Sequence, residues 1–470
     1  MLAYQLRIAW LSLKRNPILS TLLVAAIALG VAISTTFVTV HHIYSGDPIP
    51  TKSDRLFHVE MDSWDPDRPF DRNHPERPPY QVTYRDMKGI MSSDIPTLQS
   101  GMFVASLTIH PDGDLRPYRE YVRMCFADFF PLFEVPVTYG QGWDAGADAG
   151  PEPVVVIDSA TNDRLFGGGD SVGKTLRIED RVFTVIGVLE PWRPSPRVYD
   201  PTTGPHNEPE AVYMPFEFVR IFEIETAGNL RDWSDDQGTS FDSFLASEAT
   251  WIQMWVQLDT TEQRAAYASF LDAYVMEQKA LGRFARPLNN RLLDVMTWMR
   301  EIEVVPKEAT TTVVISLLFL LVCSVNLIGI LLGKFLARAP EVGVRRALGA
   351  SRGSVFMQHL VECELVAVLG GLAGLGLSVL VLRLVNGMLD NGGYFALDAP
   401  MIFAGVGLSL VAGLVAGIYA AWRICRVAPA IHLKLQKLAN SRRPPCTSDP
   451  SFAPCCTTRP GSGSSRWRSR

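Results

Sequence analysis

Residues 313–352 read VVISLLFLLVCSVNLIGILLG-KFLARAPEVGVRRALGASR, an apolar run lying between Glu308 and Lys334 and followed at once by a basic, glycine-punctuated stretch. Roughly 20 mostly apolar residues let a helix cross the hydrocarbon core of a bilayer, so this run predicts a membrane span. The same test succeeds three more times. No Asp, Glu, Lys or Arg occurs between Arg15 and Asp47, Leu365–Leu382 is apolar after Glu362 and Glu364, and Met401–Trp422 is the last such window. The expected fold is an α-helical membrane protein with four transmembrane helices, one plus three, at 18–44, 309–333, 358–385 and 401–422. A large mixed α/β extracytoplasmic domain, 45–308, lies between the first and the second. The first span is too long for a signal peptide and no Ala-x-Ala-like cleavage site follows it, so it is read as an uncleaved anchor.

Basic residues set the expected orientation, because Lys and Arg near helix ends stay on the cytoplasmic side. Arg7, Lys14 and Arg15 precede the first span in an amphipathic segment, 1–17; Lys334, Arg338, Arg345, Arg346 and Arg352 lie in the loop 334–357; Arg423, Arg426, Lys434 and Lys437 follow the fourth span. The loop 386–400 carries Asp390 and Asp398 and no cation. Both termini are therefore expected inside and 45–308 outside. The tail 423–470 is expected to be cytoplasmic and, after about residue 436, disordered, since its Arg-, Pro- and Ser-rich composition has little to bury.

With 44 basic and 49 acidic residues the chain has no overall basic excess for nucleic acid. Seven cysteines without a Cys-x-x-Cys pair suggest neither a zinc site nor a disulfide framework.

In the outer domain, Val154–Ile157 reads as a strand, Ser159–Phe166 as a short helix, and Thr175–Val188 as two strands joined by Glu179-Asp180-Arg181. The Pro-rich stretches Asp65–Pro79 and Arg193–Pro209 read as surface loops. Gly168-Gly-Asp-Ser-Val-Gly173-Lys174-Thr175 fits the pattern G-x-x-x-x-G-K-[ST] letter for letter. A phosphate loop, however, follows a strand and opens a helix, so that the helix N-terminus faces the phosphates. Here the order is helix then strand, and the segment is read as a glycine-rich turn. His41-His42 and the pair His359/Glu362 lack the further ligands that a metal motif needs. No catalytic, metal or cofactor-binding residue is expected.

Two further features concern the membrane part. Ala26/Gly30, Gly370/Gly374 and Gly413/Gly417 have the small-xxx-small spacing that lets helix backbones approach in lipid. In Arg338-Ala-Pro-Glu341-Val-Gly343-Val-Arg345-Arg346-Ala-Leu-Gly349, Pro340 and Glu341 suit a first helical turn and Arg345 and Arg346 a last one, with Gly349 as the stop. That predicts a short amphipathic helix at the membrane surface, held either by lipid headgroups or by a cytoplasmic protein.

This last stretch resembles the signature E-[IV]-G-[IV]-R-[RK]-A-[LI]-G-A of the MacB/FtsX-type permeases of ABC transporters. Two more blocks are similar to that family: Phe129-Phe-Pro-Leu-Phe-Glu-Val with Gly140, Val154–Ile157, Arg164–Gly167, Val172–Lys174 and Val185–Val188 in the outer domain, and Glu362 with Gly370 and Gly371 in the third span. The resemblance covers residues 1 to about 436. It implies a non-catalytic permease subunit of a bacterial inner membrane. ATP would be held by a separate dimer of cytoplasmic ABC ATPases, and the permease would work with a second copy or a paralogue. Arg338, Glu341, Gly343, Arg345, Arg346 and Gly349 are then the expected coupling residues, and Gly30, Gly370, Gly371, Gly374, Gly413 and Gly417 the expected helix-packing residues. A periplasmic adaptor protein and membrane lipid are further implied partners. Two functions remain open on this reading: export or extraction of a hydrophobic or amphipathic substrate, favoured by the size of the outer domain, and a transmembrane lever that activates a periplasmic or wall-bound partner without transport.

Overall fold

The computed structural model describes residues 2–113, 115–234, 240–388 and 395–425. The expected tail beyond Cys425, with Arg426, Lys434 and Lys437, and residues 389–394 of the expected outer loop, Asp390 included, lie outside the described residues. In chain order the elements are α1 (Leu2–Arg15), α2 (Pro17–Ser45), β1 (Leu56–Glu60), α3 (Tyr84–Ile90), β2 (Leu98–His110), β3 (Tyr118–Cys125), α4 (Phe129–Leu132), β4 (Val137–Gly140), α5 (Ala145–Ala149), β5 (Val154–Ile157), α6 (Ser159–Phe166), β6 (Thr175–Ile178), β7 (Arg181–Leu189), β8 (Val212–Pro215), α7 (Phe218–Phe222), α8 (Phe241–Leu245), β9 (Gln253–Gln257), α9 (Thr261–Ala280), β10 (Arg291–Asp294), α10 (Val295–Glu301), α11 (Lys307–Ala337), α12 (Ala339–Ala347), α13 (Arg352–Met388) and α14 (Ala399–Cys425).

Four of these, α2, α11, α13 and α14, are long and apolar enough to cross a membrane. Each runs past the apolar window that announces it. Lys334, Glu362 and Glu364 are all helical, because continuing a helix keeps backbone groups paired where ending it would leave them orphaned. The stretch 334–357 is thus mostly helix, with α12 between two short turns. The chain forms two compact units, one of residues 2–24, 323–368 and 410–425 and the other of 25–322 and 369–409.

The larger unit is built on a ten-stranded mixed sheet in the order β10-β1-β9-β2-β3-β8-β5-β7-β4, with β6 paired to β2 and β7. Alternate residues of the central strands enter two different cores. Phe57, Phe103, Met124, Met254 and Val155 point one way, into a core closed by α9 through Tyr267, Leu271 and Val275. Leu56, Met102, Cys125, Trp255 and Val156 point the other way, toward Phe129, Tyr199 and Trp298. Both faces are covered, which explains strands that read as continuous apolar runs. The strand following α2 and the strand preceding α11 are neighbours: β1 pairs with β10 antiparallel, Phe57 opposite Asp294. Within the same unit α2 is bonded to α11 by Ser34 Oγ donating to Ser316 O at 2.9 Å, and His41 Nε2 lies 3.2 Å from Thr310 Oγ1.

β5 and α6 fall on the expected residues, and the hairpin β6–β7 turns at Glu179 and Asp180, with Arg181 already in the strand. The Walker-like segment runs from α6 to β6 as a loop with left-handed Gly168, Gly169 and Gly173. Its lysine amine lies 5.0 Å from the Phe166 ring centroid. Gly140 is required by space: a Cβ there would lie 2.0 Å from Ile186 O.

One loop assignment is corrected. Asp65–Pro79 is irregular and mainly at the surface, but Arg193–Pro209 dives inward, burying Arg197, Val198, Tyr199 and Asp200. Arg123 on β3 donates to Asp200 Oδ2 at 2.9 Å and to Glu210, and Arg197 donates to Glu210 Oε1 at 2.8 Å. Burial alone would raise the Glu210 carboxyl, yet the two guanidiniums outweigh it and hold the group down at about 2. The polar, proline-rich composition of the segment signals exposure, whereas its burial is decided by charge partners far away in the chain.

Candidate coupling site

The smaller unit contains α12 and the helix ends around it. Arg338 occupies the N-cap, Pro340 the first turn, and Glu341 the favourable anionic position at the N-terminus. At the other end Ala350 N donates to Arg345 O at 3.1 Å and Gly349 N to Arg346 O at 3.2 Å, with Gly349 at φ +99°. This is the Schellman arrangement, and its left-handed residue is why glycine stands at 349.

The helix presents two faces. Along one, Arg345 Nη2 lies 3.8 Å from Glu341 Oε1, and Arg345 Nη1 donates to Gln358 Oε1 of α13 at 3.1 Å. The opposite side holds Gly343, where a built Cβ would meet nothing within 4 Å, and Val344, 55% exposed; Leu348, 83% exposed, comes three residues after Arg345 and seven after Glu341 and so lies on their side.

Behind α12 lies a cluster of charges that the sequence did not bring together. Glu362 of α13 is buried, and Lys334 of α11 reaches its Oε1 at 2.6 Å. Ser12 of α1 donates to the same oxygen, Arg338 lies 3.7 Å from it and also donates to the Ser12 hydroxyl, and His359 Nδ1 lies 3.9 Å from Glu362 Oε2. A carboxylate removed from water is stable only with such partners. Arg338, one of the expected coupling residues, directs its guanidinium to this cluster. Its lone signal in the sequence is shared with Lys334 and Glu362: each is a charge at the rim of an apolar window. Arg346 is partly buried on α12.

The glycines mark close helix approaches. A Cβ on Gly413 of α14 would lie 2.3 Å from Ala367 Cβ of α13, and one on Gly417 would lie 2.9 Å from Cys363 Cβ. In the larger unit, a Cβ on Gly374 of α13 would lie 2.8 Å from Ala28 O of α2, and one on Gly371 would lie 2.4 Å from Ser409 Oγ of α14. Gly30 and Gly370 are buried.

Comparison with known proteins adds an independent line. Residues 20–274 match the MacB-like periplasmic core domain family, and residues 313–429 match the FtsX-like permease C-terminal family. The macrolide export ATP-binding/permease protein MacB of Neisseria gonorrhoeae is 24% identical over 286 residues, covering 58% of this chain and 36% of that protein. The pyoverdine export ATP-binding/permease protein PvdT of Pseudomonas aeruginosa is 24% identical over 329 residues, 68% of this chain and 43% of its own length. The chain thus spans less than half the length of these curated relatives. Among solved structures, the periplasmic region of MacB from Actinobacillus actinomycetemcomitans aligns at 13% identity and TM-score 0.34, over 54% of this chain and 95% of that one.

Proposed function

The chain belongs to the MacB/FtsX-type permeases of ABC transporters, and from that premise we propose that it is the membrane subunit of an ATP-driven exporter whose hydrolysis takes place on separate cytoplasmic ABC ATPases. In this reading two permease copies, or this chain and a paralogue, dock an ATPase pair through α12, and the stroke moves the outer domain to expel or extract a hydrophobic or amphipathic substrate. The observation that carries it is the open side of α12, with space for a side chain at Gly343 and Val344 exposed, opposite the side anchored through Arg338 and Arg345. An element fixed on one side and bare on the other is suited to pass a push inward.

The test uses the space at Gly343. A Cβ at Gly343 would enter open space, so Gly343→Trp is expected to be accommodated by the permease itself. It is expected to leave membrane insertion and melting temperature unchanged while abolishing co-purification of the ABC ATPase and ATP hydrolysis by the purified complex. Full retention of both activities in this variant would reject docking through α12.

A further inference from the structure

The face of α12 turned away from that docking surface borders an open groove of ≈ 480 Å³, closed on its other sides by the last turns of α1 and the first turns of α13. Lys14, Arg15, Arg338 and Arg345 line it against one carboxylate, Glu341. Glu362, the other nearby acid, is already matched by Lys334 at 2.6 Å. The same wall carries Leu11, Val342 and Val355. His359 is buried at its inner edge, 4% exposed, with Nδ1 lacking a hydrogen-bond partner among the described residues.

We infer that this groove is a binding site for the headgroup of an anionic phospholipid, with the phosphate held by Arg345, Arg338 and Lys14 and the first acyl carbons lying over Leu11, Val342 and Val355. Guanidinium groups match phosphate oxygens in a two-pronged geometry, and basic side chains at the membrane surface attract anionic lipid. The depth is right for a headgroup. α1 ends at Arg15 and the membrane helix α2 begins at Pro17, and beyond Glu364 α13 carries no charge until Arg383. The outer surface of α1 has the character of an interfacial helix, with Tyr4 and Trp10 exposed and Lys14 Nζ 5.8 Å from the Trp10 ring centroid. An acidic side chain of a partner protein would satisfy the cations but leave the apolar wall uncovered. An amphiphile covers both. The inference rests on the membrane placement used for the proposed function, and it gives α12 a lipid behind it as well as a partner in front.

The full-length permease, purified without any ATPase and incubated with phosphatidylglycerol and phosphatidylcholine in equal amounts, would be analysed by native mass spectrometry. Phosphatidylglycerol adducts are expected to exceed phosphatidylcholine adducts. Arg345→Glu and Lys14→Glu are each expected to lower the phosphatidylglycerol adducts by at least about fivefold, and Arg345→Gln less, while Arg423→Glu, on α14 and outside the groove, leaves them unchanged. If either reversal prevents folding, Arg345→Gln carries the comparison. Equal adducts of the two lipids, or an equal loss in Arg423→Glu, would overturn the site. So would groove variants that keep their lipid and lose only the ATPase, which would show that the groove receives an acidic protein side chain. Failure of the docking reading appears elsewhere, as ATPase retained by Gly343→Trp with the lipid preference intact.

Discussion

At the scale of single residues the electrostatics of the outer domain have a definite sign. Glu210 is held at about 2 in the folded state, against 4.5 in its ordinary setting. A depressed carboxyl contributes stability that is fully present above pH 4.5 and is lost as pH falls through about 2, here roughly 3 kcal/mol. Glu210→Gln removes that charge and strands Arg123 and Arg197 inside. It is expected to lower stability to urea at pH 7, read by emission of the buried Trp251 and Trp255, with the difference from the parent chain shrinking toward pH 2. A difference that stays constant with pH would place the effect in packing instead. Asp148 works oppositely: burial pushes it up to about 6 despite hydrogen bonds from Ala127 N and Trp143 Nε1, so its contribution is present below pH 3.8 and fades as pH rises through 6. None of this was legible in the sequence, because Arg123 finds Asp200 and Glu210 only through strand pairing and a folded-in loop. Glu362 and Lys334 were visible as charges at the ends of apolar runs, but nothing in one dimension says that they meet.

At the scale of elements, what could be read was local. β5 and α6 announce themselves by an apolar run, an Asp158 cap and a glycine stop at Gly167, and α12 by Pro340, Glu341 and Gly349. The ten-strand order could not be read, since it depends on pairings such as β2 with β9 across more than a hundred residues. The packing role expected of the small-residue spacing can be tested within one helix. Gly413→Leu would force α14 away from Ala367, a overpacking cost of about 1–3 kcal/mol, and should lower the melting temperature of the purified permease. Gly407→Leu, where a Cβ meets nothing within 4 Å, should leave it unchanged. Equal effects at both positions would remove the close approach as the cause.

For the whole molecule, four spans and one large domain between the first two were readable because a bilayer imposes length and charge rules on sequence. The orientation that the same rules predict is open to direct measurement. In a cysteine-free background, Asp170→Cys is expected to react with an impermeant thiol reagent in intact cells, and Ser351→Cys only after permeabilisation. Labelling of Ser351→Cys in intact cells would invert the arrangement.

The adjacency of β1 and β10 also has a mechanical meaning. The two tethers of the outer domain leave the sheet from the same end of one ladder, where Phe57 faces Asp294. Tension that drew α2 and α11 apart would load that ladder as a zipper, opening its bonds one after another from that end, whereas displacement of both helices together loads no bond between the strands. The hydrogen bond between Ser34 and Ser316 ties those helices to each other. Pulled apart, the two helices would peel the ladder; moved in step, they would leave it intact.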